Sequence, residues 1–225
     1  MDICDSKGLR NRAFMKAFVF SDLHAQNRQL FNLSNFFKQK NDIDIIICAG
    51  DILNMGEPIS FIPKFIETIN EIGLPFFWVP GNNDFGRGYF KLNSAFKSLE
   101  GRIAHFDEMA LTGVGGSPAS WSGQYAGENM IDRKSIGGTI FVSHVPPPGL
   151  LNMQKQDCKS PTSLRKFSDS PLLHICGHQH SRWGCSYLGQ TKVINPGPLS
   201  WGQYAIINLD NLEIKFERFF NNREM

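Results

Sequence analysis

The regular pattern of the chain begins at Lys16–Ser21, a short apolar run closed by a polar residue, which predicts a strand. Gln26–Gln39 carries apolar residues at Leu30, Leu33, Phe36 and Phe37, the three-and-four spacing of an amphipathic helix. Asp44–Cys48 is a continuous apolar stretch of the kind buried on both faces of a parallel sheet. Ile59–Ile72 again has helical spacing, with Ile62, Phe65, Ile66 and Ile69 on one face and Pro63 near the first turn, where a missing N–H is tolerated. Phe76–Val79 predicts a third strand. This alternation, with a period of about 30 residues, predicts βαβ crossovers.

The second half reads differently. Arg102–Phe106, Met109–Val114, Thr139–Ser143, Leu172–Cys176, Trp183–Leu188, Lys192–Ile194, Tyr204–Asn208 and Leu212–Phe219 predict strands joined by short turns, antiparallel towards the C-terminus. Gly115–Gly127, rich in Gly and Ser, predicts a loop offering Trp121 and Tyr125, and Val145–Thr162 a longer one with a run of three Pro and Cys158. The expected organisation is one α/β domain over 15–225 whose two halves pair sheet against sheet. Residues 1–14, polar and without the apolar core of a signal peptide, read either as an extension ahead of the domain or as the product of a start codon placed too early.

Composition narrows the function classes. The 23 basic and 21 acidic residues leave a net charge of +2 with no long basic run, so no stable nucleic-acid partner is expected. No apolar run approaches the roughly 18 residues of a membrane span. Five Cys, an odd number with no C-x-x-C pair, indicate neither a disulfide framework nor a zinc ribbon and fit a reducing, cytoplasmic setting. Cys48 and Cys176 lie in apolar runs and read as small hydrophobes.

The chemistry lies at the strand ends. Three early strands end in Asp22-Leu23-His24, in Gly50-Asp51-Ile52-Leu53-Asn54 and in Gly81-Asn82-Asn83-Asp84. Two later ones end in Ser143-His144-Val145 and in Gly177-His178-Gln179-His180. Ligands of open α/β sheets bind outside the carboxyl ends of the strands, so these five clusters are expected to converge. Imidazole, carboxylate and amide oxygen together suit a divalent transition metal. His105 and His174, flanked by apolar residues within strand-like runs, read as structural histidines instead.

In this order the five blocks resemble the calcineurin-like metallophosphoesterase superfamily, with its D-x-H, G-D, G-N-H-[D/E], lone His and G-H-x-H signature. The likeness spans Ala17 to about Asn208 and is closest to the small, single-domain bacterial and archaeal phosphodiesterases, down to the Asn195-Pro196-Gly197-Pro198 turn. It implies a four-layer α/β/β/α sandwich with two mixed sheets and a dinuclear metal site at the strand ends. Asp22, His24 and His180 would hold one metal, Asn82, His144 and His178 the other, and Asp51 would bridge them. Gly50, Gly81 and Gly177 would let backbone approach the site. Two divalent ions are implied, Mn2+ favoured, with Fe, Zn or Ni compatible.

The implied reaction is hydrolysis of a small phosphate ester, a phosphodiester above all, by attack of a metal-bridging hydroxide. The catalytic set is Asp51, Asn83 and Asp84. Asn83 departs from the family, which usually has His there; an amide donates hydrogen bonds but transfers no proton at neutral pH. Arg87, three residues beyond Asp84, is within reach of a phosphate but reads first as a solvated loop residue. The competing readings are a binding scaffold that keeps the fold with little activity, and a nuclease, which would need an added DNA-binding segment. A homo-oligomer is compatible with the sequence.

Overall fold

The computed structural model describes residues 14–54, 60–84, 95–116, 137–147 and 170–219. The first sheet begins with β1 (Lys16–Phe20), β2 (Ile45–Cys48) and β3 (Phe76–Trp78), linked through helices α1 (Asn27–Gln39) and α2 (Phe61–Ile72). β4 (Phe96–Ser98) extends it. The second sheet contains β5 (Ile103–Phe106), β6 (Met109–Val114), β7 (Ile140–Ser143), β8 (Leu173–Ile175), β9 (Gly184–Leu188) and β10 (Thr191–Asn195). A 3-10 turn at Leu199–Trp201 leads into β11 (Gln203–Asn208) and β12 (Ile214–Arg218).

The first sheet has the order β12-β11-β1-β2-β3-β4 and the second β5-β6-β7-β8-β10-β9, both mixed. This is the α/β architecture, with two mixed sheets, that the sequence resemblance implies. Side chains alternate across a strand, and β1 to β3 use both faces. Phe18, Phe20, Ile46, Cys48, Phe76 and Trp78 pack with the helices. Ala17, Val19, Ile45, Ile47, Phe77 and Val79 pack with the second sheet. A strand buried on both sides must be apolar throughout, which is why these runs are continuous.

The helix side is aromatic. Phe18 stacks on Tyr204 at 4.7 Å between centroids and meets Phe36 at 5.1 Å. α2 buries Phe61, Ile62, Phe65 and Ile69 and ends at Gly73, whose φ of 69° lets its N–H close onto the Ile69 carbonyl.

Three expectations change. The two sheets are not the two halves of the chain: β11 and β12 return to the first sheet, where β11 pairs antiparallel with β1. β11 is apolar on both faces, Tyr204 and Ile206 towards the helices and Ala205 and Ile207 towards the other sheet, so it suits an interior position. β4 has only Phe96 as an apolar residue and gives no sequence signal; it pairs parallel with β3, and Lys97 lies 5.4 Å from the Phe77 ring centroid. His105, expected to be a structural histidine, is exposed on β5.

Cys48 and Cys176 are free and buried, while Cys185 is disulfide-bonded, which the odd count did not foresee. No helix among the described residues is long and apolar enough to cross a membrane. The described helices pack on the first sheet; the extension apart from Phe14, Arg87, most of the 115–127 loop with Trp121 and Tyr125, and most of the 145–162 loop lie outside the described residues.

Candidate metal centre

The chain turns abruptly where the strands end. Asp22, His24, Asp51 and His178 have φ of 53°, 50°, 54° and 66°, a left-handed region that side chains other than Gly rarely occupy. Each such residue costs on the order of 1–3 kcal/mol and persists only where the surroundings impose it. The surroundings do so. Asp22 N–H donates to the Gly50 carbonyl at 2.9 Å, and His24 N–H to the Asp51 carbonyl at 3.1 Å. His178 N–H donates to Asp22 Oδ2 at 3.0 Å. The strand ends are also close to one another: a Cβ on Gly81 would collide with the carboxylate and amide nitrogen of Asp51.

Seven candidate ligands come together in two adjoining groups. In the first, Asp22 Oδ1 is 3.2 Å from His180 Nε2 and 3.6 Å from His24 Nε2, and the two imidazole nitrogens are 3.1 Å apart. In the second, Asn82 Oδ1 is 3.0 Å from both His144 Nε2 and His178 Nδ1. Asp51 Oδ2 lies 3.4 Å from His144 Nε2. The groups touch, since donor atoms of Asp22, Asp51 and His144 all lie within 4.8 Å of one another.

These spacings fit divalent metals. A cation holding N and O ligands at about 2.0–2.2 Å places neighbouring ligands roughly 3.0–3.6 Å apart. Among the described residues, the buried Nδ1 of His24 has no hydrogen-bond partner, so its ring is oriented through the Nε2 side, where Asp22 and His180 lie. His144 is held the other way: Nδ1 meets the Ala49 carbonyl at 2.8 Å and directs Nε2 to the site.

Charge couples the two groups. Burial pushes the Asp22 carboxyl up, but hydrogen bonds from His180 and His24 and the charge of His144 outweigh it, and the net shift is downward. Burial pushes His24 down, while Asp22 and Asp51 bring it above its ordinary value. His144, equally opposed by burial, rises to about 9 through its hydrogen bond to Asp51 and the charge of Asp22. His178 falls, through burial and then the charge of His144.

In the third block Asn82 turns its amide oxygen to the donor set, whereas Asn83 and Asp84 bind a carboxylate and backbone. Asn83 gives its backbone N–H to Asp51 Oδ1 at 2.8 Å and its amide Nδ2–H to Oδ2 at 2.7 Å, gripping both oxygens of one carboxylate. Asp84 is buried and accepts from three backbone N–H groups, those of Gly81 at 3.0 Å, Ile52 at 3.1 Å and Leu53 at 2.9 Å. It ties the end of β3 to that of β2. Burial pushes its carboxyl up, and the charge of Asp51 adds to this, against the three N–H groups.

Sequence reasoning missed Trp201. The Asn195-Pro196-Gly197-Pro198 turn braces the His178–His180 loop: Asn195 Nδ2 donates to the Gly177 and Gln179 carbonyls at 3.3 and 3.0 Å. It then places Trp201 against the His180 ring, with centroids 5.5 Å apart and the ring planes nearly perpendicular, at 81°. The turn was legible; the ring three residues beyond it was not.

A family model described as calcineurin-like phosphoesterase matches residues 15–182. Uncharacterized protein MJ1162 of Methanocaldococcus jannaschii is 26% identical over 208 residues, covering 85% of this chain and 92% of its own length. Among solved structures, TT1561 of Thermus thermophilus superposes with a TM-score of 0.67 at 17% identity, over 91% of this chain and 99% of its own. A dimetal phosphatase from Danio rerio does so with a TM-score of 0.58 at 9% identity, over 92% and 99%. These two structural likenesses carry the fold.

Proposed function

The chain belongs to the calcineurin-like phosphoesterase family, and on that premise we propose that it is a metal-dependent hydrolase of small phosphate esters that favours diesters. The observation that carries this reading is the pair of adjoining N/O donor groups at the strand ends. We assign Asp22, His24 and His180 to one cation and Asn82, His144 and His178 to the other, with Asp51 between them. Oxygen and imidazole donors without thiolate suit Mn2+, and Fe, Zn or Ni are compatible. Bound there, the cations supply Lewis acidity and an activated water.

The chain's own residues do the rest. Asn83 holds Asp51 by both oxygens and so orients it. Asp84 acts through the backbone, keeping the ends of β2 and β3 in register. Phosphoryl transfer needs positioning and charge stabilisation, not a protein nucleophile. With an amide at Asn83 no imidazole is at hand there to protonate the leaving group, a contribution typically worth about 10²–10⁴-fold. Aryl diesters, whose phenolate leaves unaided, are therefore the favoured substrates, and alkyl monoesters the poorest.

The test is hydrolysis of bis-p-nitrophenyl phosphate, p-nitrophenyl phosphate and an alkyl monoester after chelation and reloading with Mn2+. Turnover in the order aryl diester, aryl monoester, alkyl monoester is expected. Metal binding with no turnover of any ester would make the protein a scaffold. Equal rates for aryl and alkyl esters would refute the missing-acid argument and leave the metal assignment standing.

A further inference from the structure

Trp201 is 53% exposed although its backbone is among the most firmly held at the site. Leu199 N–H donates to the Ser21 carbonyl at 2.8 Å and Ser200 N–H to the Asp22 carbonyl at 3.0 Å. The buried Gln29 of α1 directs its Nε2 to the Ser200 carbonyl at 3.5 Å. Gly202, with φ of 82°, closes the turn by donating to the Leu199 carbonyl at 2.7 Å. The turn thus grips the chain on both sides of Asp22 while the indole projects beside His180. Its edge-to-face contact with that imidazole places an aromatic surface one ring away from the Asp22–His24–His180 donors. Leu199, two residues earlier, is fully buried, so packing of the turn is supplied without the indole.

We propose that Trp201 is the substrate-selecting residue of this site: its open face stacks on a planar aromatic group of the phosphate ester, such as a nucleobase or aryl ring, on the His180 side. The inference rests on the phosphoesterase reading above and adds to it recognition of the aromatic group in binding, independent of how well that group leaves. A pre-positioned indole loses little freedom on binding, and its two-sided π surface accepts any flat ring. Stacking of one base on one aromatic side chain changes affinity by about 5- to 150-fold.

The experiment compares adenosine 5′-monophosphate, ribose 5-phosphate and inorganic phosphate, which share a phosphate and differ in the aromatic group, by calorimetry on the Mn2+-loaded full chain. Wild type is expected to bind the nucleotide at least about 5-fold more tightly than the sugar phosphate. Trp201→Ala should bring that ratio close to one with inorganic phosphate affinity and metal content unchanged, and Trp201→Phe should keep most of it. A ratio near one in wild type, or one that survives Trp201→Ala, overturns the inference. So does loss of metal from Trp201→Ala with the ratio intact, which would make the indole a brace for His180. Inorganic phosphate binding together with ester hydrolysis but no such ratio sinks only this inference. Absence of both sinks the phosphoesterase reading as well.

Discussion

His144 directly follows β7 and His174 lies in the neighbouring β8 of the second sheet, and both are buried. His174 sits in β8 between Leu173 and Ile175, which face the first sheet, so its ring lies on the opposite side with Phe141, 4.9 Å away and edge-on. Its Nε2 meets Ser143 Oγ at 2.7 Å. Burial takes its pKa down to about 3. Burial opposes the charge of His144 too, yet Asp51 and Asp22 raise it to about 9. Depth in the fold therefore does not mark a functional histidine; carboxylates gathered around it do. The site is the place where this protein keeps charge and burial together.

Removing the carboxylate breaks the comparison most severely. Asp51→Asn should lower metal-dependent turnover by more than the roughly 100-fold typical of losing a supporting partner, and should weaken binding at both donor groups. Elemental analysis showing two tightly held metals per mutant chain would contradict the bridging assignment.

His144→Ala and His180→Ala test whether the two donor groups are separate. Each should lower metal affinity by at least about 10–100-fold, mainly in its own group. A metal titration with identical losses at both would dissolve the division.

Asn83→Ala keeps every proposed ligand and releases the grip on Asp51, so metal affinity should fall by about 10-fold, the lower end for an outer partner. Unchanged affinity would mean that Asp51 orients itself. Asn83→His should raise alkyl-ester turnover more than aryl-ester turnover, most of all below about pH 7, where imidazole begins to hold a proton. Comparison of kcat/KM for the two esters from pH 5.5 to 9 reads this, and an equal change for both would reduce the imidazole to a positioning group.

The smallest effect belongs to His174. Its pKa is near 6.5 in the unfolded chain and about 3 in the folded one. Between those values the unfolded state binds the proton that the native state refuses, so stability falls as pH drops through that window, by up to about 1.4 kcal/mol per pH unit. His174→Gln keeps a hydrogen-bonding group towards Ser143 and removes the titration. Denaturant midpoints from pH 6.5 to 4 should decline less steeply in the variant, and parallel slopes would show that His174 does not titrate in this range.

Much of the donor set was legible because it depends on local pattern. A strand covered on both faces must be apolar from end to end, so the first polar residues after β1, β2, β3, β7 and β8 mark where the chain leaves the core. Asp51, Asn82, His144 and His178 occupy four of those places, Asp22 directly follows Ser21 at the other, and His24 and His180 follow two residues after Asp22 and His178. Spacing alone gathers these residues at strand ends, whichever strands become neighbours.

What tertiary structure decided are the pairings between distant segments. β11 is apolar on both faces and could have served either sheet; its ladder with β1 settled the matter. β4 exists only because β3 offers it an edge. Asn83 reads as a substitute for a proton donor, yet its hydrogen bonds go to a carboxylate 32 residues earlier. Trp201 reads as another aromatic residue, until the braced turn sets it against His180. Apolar periodicity records whether a position is covered, since each residue must satisfy that locally; it does not record by what, because the covering group arrives from elsewhere in the chain through hydrogen bonds and packing that any one segment leaves unspecified.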